Sequence, residues 1–215
     1  MKSAPNVAIV GATGAVGKEF LRLIDERDFP FSELRLLASQ RSAGRTITFQ
    51  DSDHTIIELS DDSLDGIDIA LFSASGSISR EYGPIAAKAG AVVVDNSSAF
   101  RMDPTTPLVV PEINPQEIVS HNGIIANPNC STIVMTVPVW PIHQAVGVER
   151  VVVSTYQAAS GAGAAAMNEL AQQARDWAAG GPLPRRYLTA STSGIFFRTT
   201  PVLILIRATT RKKPR

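Results

Sequence analysis

The stretch that most constrains the fold is an apolar strand signal that runs directly into a glycine-rich turn. Val7–Val10 is a continuous apolar run, typical of a strand buried on both faces. Gly11, Gly14 and Gly17 follow, and the next apolar residues repeat with helical spacing. Strand, glycine turn and helix in this order predict a loop whose backbone N–H groups bind a phosphate at the helix N-terminus. An ordinary tight turn is the alternative.

Apolar strands alternate with helical segments up to residue 94, which predicts an α/β fold with a Rossmann-like, doubly wound parallel sheet. After the strand Asp68–Phe72, small residues begin at Ser73 and leave space for a ligand at the carboxyl edge of the sheet. The other predicted elements are strands Leu34–Ala38, Ala91–Val94 and Gly123–Ala126, a peripheral hairpin of Thr46–Phe49 with Thr55–Leu59, and a helix over Ile78–Ala89.

The segment after the second strand predicts which dinucleotide binds. An Asp or Glu at this point would hold the ribose 2′-hydroxyl of NAD, but the chain has Ser39, Arg41 and Ser42 instead. A guanidinium flanked by hydroxyl groups suits a 2′-phosphate, which favours NADP. A solvated loop arginine is the alternative. Arg101, in a polar loop after a later strand, is similarly open to two readings, as an anion clamp or a surface arginine.

Cys130 is the only cysteine and lies in the sequence Asn-Pro-Asn-Cys-Ser-Thr, which predicts a junction between a loop and a helix. The positive end of a helix favours the thiolate form of a thiol, so this position indicates a nucleophile. A small buried hydrophobic residue is the alternative. Beyond it we expect a kinked or broken helix over Ile133–Val146, a strand over Val151–Thr155, a loop of small residues at 158–163 and an alanine-rich helix.

Composition excludes several classes of protein. One cysteine fits a reducing compartment such as the cytoplasm, and the histidines, His54, His121 and His143, lack metal-ligand spacing, so we expect no metal. We expect no signal peptide and no membrane span. Charge is uneven: the last 39 residues hold eight of the 20 Lys and Arg residues and none of the 20 acidic residues.

Six motifs in order resemble the aspartate-semialdehyde dehydrogenase family over roughly residues 6 to 180. They are G-A-T-G-A-V-G, R-S-A-G, D-N-S-S-A-F-R-M, V-P-E-I-N, N-P-N-C-S-T and Q-A-A-S-G-A-G. The resemblance implies that the Rossmann-like domain, residues 1–129, is followed by the start of an α+β catalytic and dimerisation domain at residues 130–190. It also implies a homodimer or homotetramer, with no nucleic-acid partner.

The site implied by the resemblance has three parts. The catalytic residues are Cys130, the nucleophile that forms an acyl-thioester, and Gln157. Substrate or phosphate binding is expected at Asn96, Arg101, Asn129 and Gln157. NADP binding is expected at Gly11, Thr13, Gly14, Ala15, Val16, Gly17, Ser39, Arg41, Ser42, Ser73, Ser160 and Gly161. The implied reaction is reductive dephosphorylation of L-aspartyl 4-phosphate to the semialdehyde, for lysine, threonine and methionine synthesis.

The last part of the chain departs from the family. The resemblance implies an acid/base histidine, and none of the three histidines matches it. We expect a truncated product whose residues 191–215 come from a shifted reading frame, with a basic nucleic-acid-binding tail as the alternative. Two functions follow: an NADP-dependent semialdehyde dehydrogenase, or a non-catalytic NADP-binding remnant.

Overall fold

The computed structural model describes residues 4–155 and 157–180. The chain divides into two compact units, Met1–Asn129 and Cys130–Arg215. The strands of the first unit are β1 (Asn6–Val10), β2 (Glu33–Ala38), β3 (Thr46–Phe49), β4 (Ser52–Thr55), β5 (Ile57–Glu58), β6 (Ile69–Phe72), β7 (Val92–Asp95) and β8 (Ile124–Ala126). Its helices are α1 (Ala15–Glu26) and α2 (Gly76–Lys88). The second unit contains α3 (Cys130–Val146) and α4 (Ala164–Ala178).

Six strands form one sheet in the order β5-β2-β1-β6-β7-β8, and every neighbouring pair is parallel. The chain builds outward from β1 to β2 on one side and then returns to place β6 on the other side of β1. The strand order therefore reverses between β1 and β6, which is where a doubly wound sheet opens a crevice for a ligand. The predicted Rossmann-like parallel sheet is confirmed.

Both faces of this sheet are buried. Alternate residues of a strand point to opposite sides, so neighbouring residues of β1 belong to different apolar clusters. In β1, Val7 and Ile9 belong to one apolar cluster, which includes Leu21 and Ile24 of α1. The intervening residues of β1 belong to a second cluster with Phe72 of β6 and residues of α2. Helices on both faces explain why Val7–Val10 of β1 is continuously apolar, as strands of parallel sheets generally are.

The peripheral hairpin differs from its prediction in its second strand. Thr46–Phe49 pairs antiparallel with Ser52–Thr55, and Gln50 and Asp51 make the turn between them with positive φ angles. Residues 57–58, predicted as part of the hairpin, instead pair in parallel with the end of β2. Alternation of apolar and polar residues predicts a strand, but it does not identify the edge with which the strand pairs.

The structure of the second unit differs from two predictions made from the sequence. Of the predicted kinked or broken helix after Cys130, the break is wrong, because α3 runs continuously through Pro138 and Pro141, and the kink stays a prediction. The predicted strand Val151–Thr155 is also wrong, because these residues adopt no regular structure. A β-branched run forms a strand only where it joins a sheet, and this segment belongs to neither sheet of the described residues.

Neither a membrane-spanning helix nor a metal-binding cluster occurs among the described residues. No helix there combines the length and the apolar character needed to cross a lipid bilayer. No group of three or more His, Cys, Asp or Glu side chains in the same ranges could hold a metal ion.

Candidate active site

The glycine loop after β1 has the close packing expected of a phosphate-binding turn. Gly11 has a φ of +89°, and a Cβ atom there would lie 2.8 Å from the carbonyl oxygen of Ser73. A Cβ at Gly17 would lie 2.4 Å from the carbonyl oxygen of Gly11, so the first turn of α1 can approach the loop only with glycine here. Ser73 also donates from its Oγ to the carbonyl oxygen of Val10 at 3.2 Å. Gly11 and Ser73 thus meet at the predicted crevice between β1 and β6.

The N-terminus of α1 suits the pyrophosphate of a dinucleotide. Gly14 occupies the capping position, where no side chain bonds to the free N–H groups, and the first turn contains no acidic residue. Gly14 and Ala15 are exposed, while Thr13 and Val16 are half-buried. Free backbone N–H groups and an uncompensated helix dipole favour an anion at this position. The residues present therefore fit the cofactor predicted from the sequence.

The short segment after β2 offers an exposed cation. Gln40–Ser42 forms a single 3₁₀ turn in which the Ser42 N–H donates to the carbonyl oxygen of Ser39 at 2.8 Å. Arg41 and Ser39 are exposed, whereas Ser42 is only 5% exposed. Arg41 and Ser39 are thus the accessible members of this predicted trio. No carboxylate occurs between residues 39 and 44 to compete for the guanidinium group.

Arg101 is oriented by two backbone carbonyl groups. Its Nε donates to the carbonyl oxygen of Asn127 at 2.9 Å, and its Nη2 donates to that of Asn96 at 2.9 Å. A guanidinium group has five N–H donors, so three are left for a ligand. The side chain is half-buried, which limits its rotamers while leaving access for an anion. This geometry suits a phosphate or carboxylate clamp.

The side chain of Asn96 lies in the same loop. Its Oδ1 accepts a hydrogen bond from Nδ2 of Asn127 at 2.7 Å. This bond fixes the orientation of the amide, and its NH₂ group is the end that can donate to an anion. The structure therefore brings two predicted anion-binding residues, Asn96 and Arg101, together around Asn127, for which no role is predicted.

Asp95, at the end of β7, was also missed from the sequence. Its side chain is fully buried and its carboxylate accepts three hydrogen bonds: from Ser79 Oγ at 2.7 Å, Ser97 Oγ at 2.7 Å and the Ser97 N–H at 3.1 Å. Burying a carboxylate is costly unless donors surround it, so this cluster is a specific feature. An acidic residue ending an otherwise apolar strand was the only signal in the sequence.

Cys130 is the first residue of α3 and is exposed. The Nε2 of Gln157 lies 3.6 Å from its Sγ, within hydrogen-bonding distance for sulfur. The Gln157 amide can therefore donate an N–H to the sulfur at the start of α3. A Cβ at Gly161 would lie 3.3 Å from the same Nε2, so glycine leaves room for the amide. Cys130, Gln157 and Gly161 therefore form one local group.

Two further predicted residues flank this group in the sequence. Ser160 is exposed in the 3₁₀ turn Ala159–Ala162, and its carbonyl oxygen accepts from the Gly163 N–H at 3.0 Å. Asn129 is half-buried and immediately precedes Cys130. The turn is anchored by Ala159, which packs with Ala166 of α4.

The histidines have local structural contacts. Nδ1 of His121 accepts from the Gly123 N–H at 2.9 Å, and Nδ1 of His143 accepts from the Val148 N–H at 3.0 Å. The ring of His54 packs edge-on against Phe49, with centroids 5.9 Å apart. Each imidazole thus supports a turn or a hairpin.

Two family models match the chain. The semialdehyde dehydrogenase NAD-binding domain matches residues 6–121, and the semialdehyde dehydrogenase dimerisation domain matches residues 139–197. The first covers the glycine loop, Arg101 and every strand of the six-stranded sheet except β8. The second lies entirely within the unit that starts at Cys130, and it extends beyond residue 190, where the sequence resemblance was expected to end.

Individual relatives agree with these models. Aspartate-semialdehyde dehydrogenase of Aquifex aeolicus is 56% identical over 83% of this chain and 54% of its own length. A crystal structure of aspartate semialdehyde dehydrogenase II from Vibrio cholerae complexed with ASA is 46% identical with a TM-score of 0.81, covering 88% of this chain and 57% of that one. A crystal structure of aspartate semialdehyde dehydrogenase with NADP from Candida albicans is 26% identical with a TM-score of 0.59. It covers 73% of this chain and 52% of that one. The chain spans about half the length of the curated relatives it matches.

Proposed function

The chain belongs to the semialdehyde dehydrogenase family, and on this premise we propose that it carries out the NADP-dependent reductive dephosphorylation of L-aspartyl 4-phosphate to L-aspartate 4-semialdehyde. The reaction would take place in the cytoplasm, as a step in lysine, threonine and methionine biosynthesis. The protein would act as a homodimer or homotetramer. The observation that carries the proposal is the exposed thiol of Cys130 at the start of α3, with the Gln157 amide beside its sulfur.

The proposed role of Cys130 is nucleophilic. Its sulfur attacks the acyl carbon of the substrate, a C–S bond forms, the bond from that carbon to the phosphate oxygen breaks, and phosphate leaves. The resulting thioester is more readily reduced than a carboxylate, which is the chemical reason for a thiol here. The Nε2–H group of Gln157 stabilises negative charge near the sulfur and orients the substrate.

Phosphate recognition is assigned to the loop after β7. The Arg101 guanidinium, held by two carbonyl groups, presents its remaining donors to the phosphate, and the NH₂ group of Asn96 adds another. We also assign Asn129 to substrate binding from its place next to Cys130. Holding the leaving group in a fixed position lowers the entropic cost of the attack.

Cofactor binding is assigned to the first unit and to two residues after Gln157. When bound, NADPH supplies the hydride that reduces the thioester. The glycine loop and the N-terminus of α1 would hold the pyrophosphate, and Arg41 the 2′-phosphate. Ser160 and Gly161 would lie at the nicotinamide. The support for NADP over NAD is the exposed Arg41 and the absence of a carboxylate between residues 39 and 44.

The test is phosphate-dependent reduction of NADP⁺ by the purified chain with aspartate semialdehyde. We expect activity that Cys130→Ala reduces to the detection limit while NADP binding is retained. Cys130→Ser, which keeps the size of the side chain but weakens the nucleophile, should also be inactive. Surviving activity in either variant would refute the nucleophile assignment.

A second function predicted from the sequence, a non-catalytic NADP-binding protein, has a different outcome in the same experiment. It predicts saturable NADP binding with no turnover at any phosphate concentration. The observation in its favour is that each of the three histidines has a local structural contact, and none matches the acid/base histidine that the resemblance implies. Measurable semialdehyde oxidation would exclude it.

A further inference from the structure

We propose that Asp95 is a positioning residue for the anion site, which acts through Ser97 to fix the carbonyl groups that orient Arg101. The proposal rests on the proposed function in one respect, namely that Arg101 binds the phosphate of the substrate. Asp95 itself is fully buried, so it has no direct access to a ligand.

The first step concerns what holds Arg101. Both of its hydrogen bonds go to backbone carbonyl oxygens, those of Asn96 and Asn127, and none of its described hydrogen bonds goes to a side chain. The direction of the guanidinium group therefore depends on how these two peptide groups are oriented. A small rotation of either peptide would turn the free donors away from an anion.

The second step concerns what holds the peptide groups. Asn96 lies between Asp95 and Ser97, and the Asp95 carboxylate accepts from both the N–H and the Oγ of Ser97, which closes a tight turn around Asn96. The Ser97 Oγ also accepts from the Ala99 N–H at 3.0 Å, which continues the turn toward Arg101. The Asp95 carbonyl oxygen accepts from the Asn127 N–H at 2.8 Å. Asp95 thus bonds to Ser97, which follows the Asn96 carbonyl group, and to the N–H of Asn127, the residue that carries the other carbonyl group.

The third step concerns the anchor on the other side of the carboxylate. Ser79 of α2 donates to Oδ1 at 2.7 Å, the same length as the bond from Ser97 Oγ to Oδ2. The two hydroxyl groups contact the same carboxylate, but only Ser97 belongs to the turn that carries the Asn96 carbonyl. If Asp95 is purely structural, loss of either serine hydroxyl should affect Arg101 alike. If Asp95 positions Arg101, loss of the Ser97 hydroxyl should affect Arg101 more.

This difference supplies a matched pair of variants in the full chain, Ser97→Ala and Ser79→Ala. Each removes one hydroxyl donor from Asp95, and their effects on the urea unfolding midpoint show the structural cost. Two other measurements report position: the hydrogen-exchange rate of the Arg101 Nε–H group by NMR, and the affinity for inorganic phosphate by titration. NADP affinity serves as the control for the integrity of the first unit.

We expect Ser97→Ala to speed Nε–H exchange about tenfold and to weaken phosphate binding about tenfold. Changes of this size correspond to the loss of one hydrogen bond that holds the turn in place. Ser79→Ala should change both by less than about twofold, and neither variant should change NADP affinity. Asp95→Asn replaces an acceptor by a donor and should follow Ser97→Ala, which provides a second variant if Ser97→Ala does not fold.

Equal effects of the two serine variants, in proportion to their loss of stability, would overturn the positioning role. The proposed function fails in a different way. If the unaltered chain does not bind phosphate, or if Arg101→Ala binds it unchanged, then Arg101 is not the phosphate anchor. The exchange comparison would still decide whether Asp95 and Ser97 position its guanidinium group.

Discussion

The two units of the chain differ in how they hold their functional groups. The first unit places its glycine loop and Arg101 on a sheet with two buried apolar clusters, one on each face. In the second unit, the part that the structure describes up to residue 180 has one small buried cluster, centred on Ala159 and Ala166. None of the residues of α3 is buried, although the helix has no charged side chain.

This difference indicates that stability and reactivity are separated in the chain. The proposed cofactor and anion residues follow the carboxyl ends of packed strands, so their positions depend on the core. The thiol and its amide partner are held by local contacts at a helix start and a 3₁₀ turn. Substitutions in the first unit should therefore change stability, and substitutions in the second should change the chemistry more than the stability.

The largest expected effect tests that separation with the same substitution in both units. Ile9→Ala, in fully buried β1, should lower the free energy of unfolding by about 2–5 kcal/mol, because it leaves a cavity in the core. Ile142→Ala, in α3 where the side chain is 52% exposed, should change it by less than about 0.5 kcal/mol. Urea unfolding followed by circular dichroism gives both values. Similar losses would contradict the contrast.

The sequence predicts the first unit well because its signals are local and agree with one another. The run Val7–Val10, the glycines and the following helical pattern each point to the same strand, loop and helix. The strand predicted at Val151–Thr155 is wrong because β-branched residues report a preference, whereas a strand also needs a partner edge. Joining a sheet is a non-local property, and this segment belongs to neither sheet of the described residues.

The next effect concerns the choice of cofactor in the first unit. Arg41→Ala should weaken NADP binding about ten- to a hundredfold by removing a charge-assisted contact to the 2′-phosphate, and should leave NAD binding nearly unchanged. Arg45→Ala is the matched control, since Arg45 is an exposed arginine of the same segment. Fluorescence titration of each dinucleotide measures the ratio. Equal losses for NADP and NAD would show that Arg41 does not contact the 2′-phosphate.

The candidate site was only partly predictable for the same reason as the fold. Cys130 and Arg101 are recognisable from residue type and local sequence. The roles of Asp95 and Asn127 depend on contacts with Ser79, 16 residues from Asp95, and with Arg101, 26 residues from Asn127. Hydrogen bonds across such separations follow from the packing of α2 and β8 against β7, which the sequence pattern does not specify.

The smallest effect concerns the local group in the second unit. Gly161→Ala should slow alkylation of Cys130 by iodoacetamide about two- to threefold, because its Cβ crowds the Gln157 amide and weakens one hydrogen bond. The urea midpoint should not change. Ser160→Ala, in the same turn, is the control and should alkylate at the original rate. Since Cys130 is the only cysteine, the whole signal belongs to it.

The central claim is that Cys130 is the acylated nucleophile, and peptide mass spectrometry of the full chain after reaction and digestion tests it most directly. The chain is incubated with L-aspartyl 4-phosphate in the absence of NADPH and then digested. We predict an aspartyl adduct on the peptide that contains Cys130, which hydroxylamine releases and which Cys130→Ser does not form. No adduct on a thiol that still reacts with iodoacetamide, or an adduct on another residue, would contradict the account.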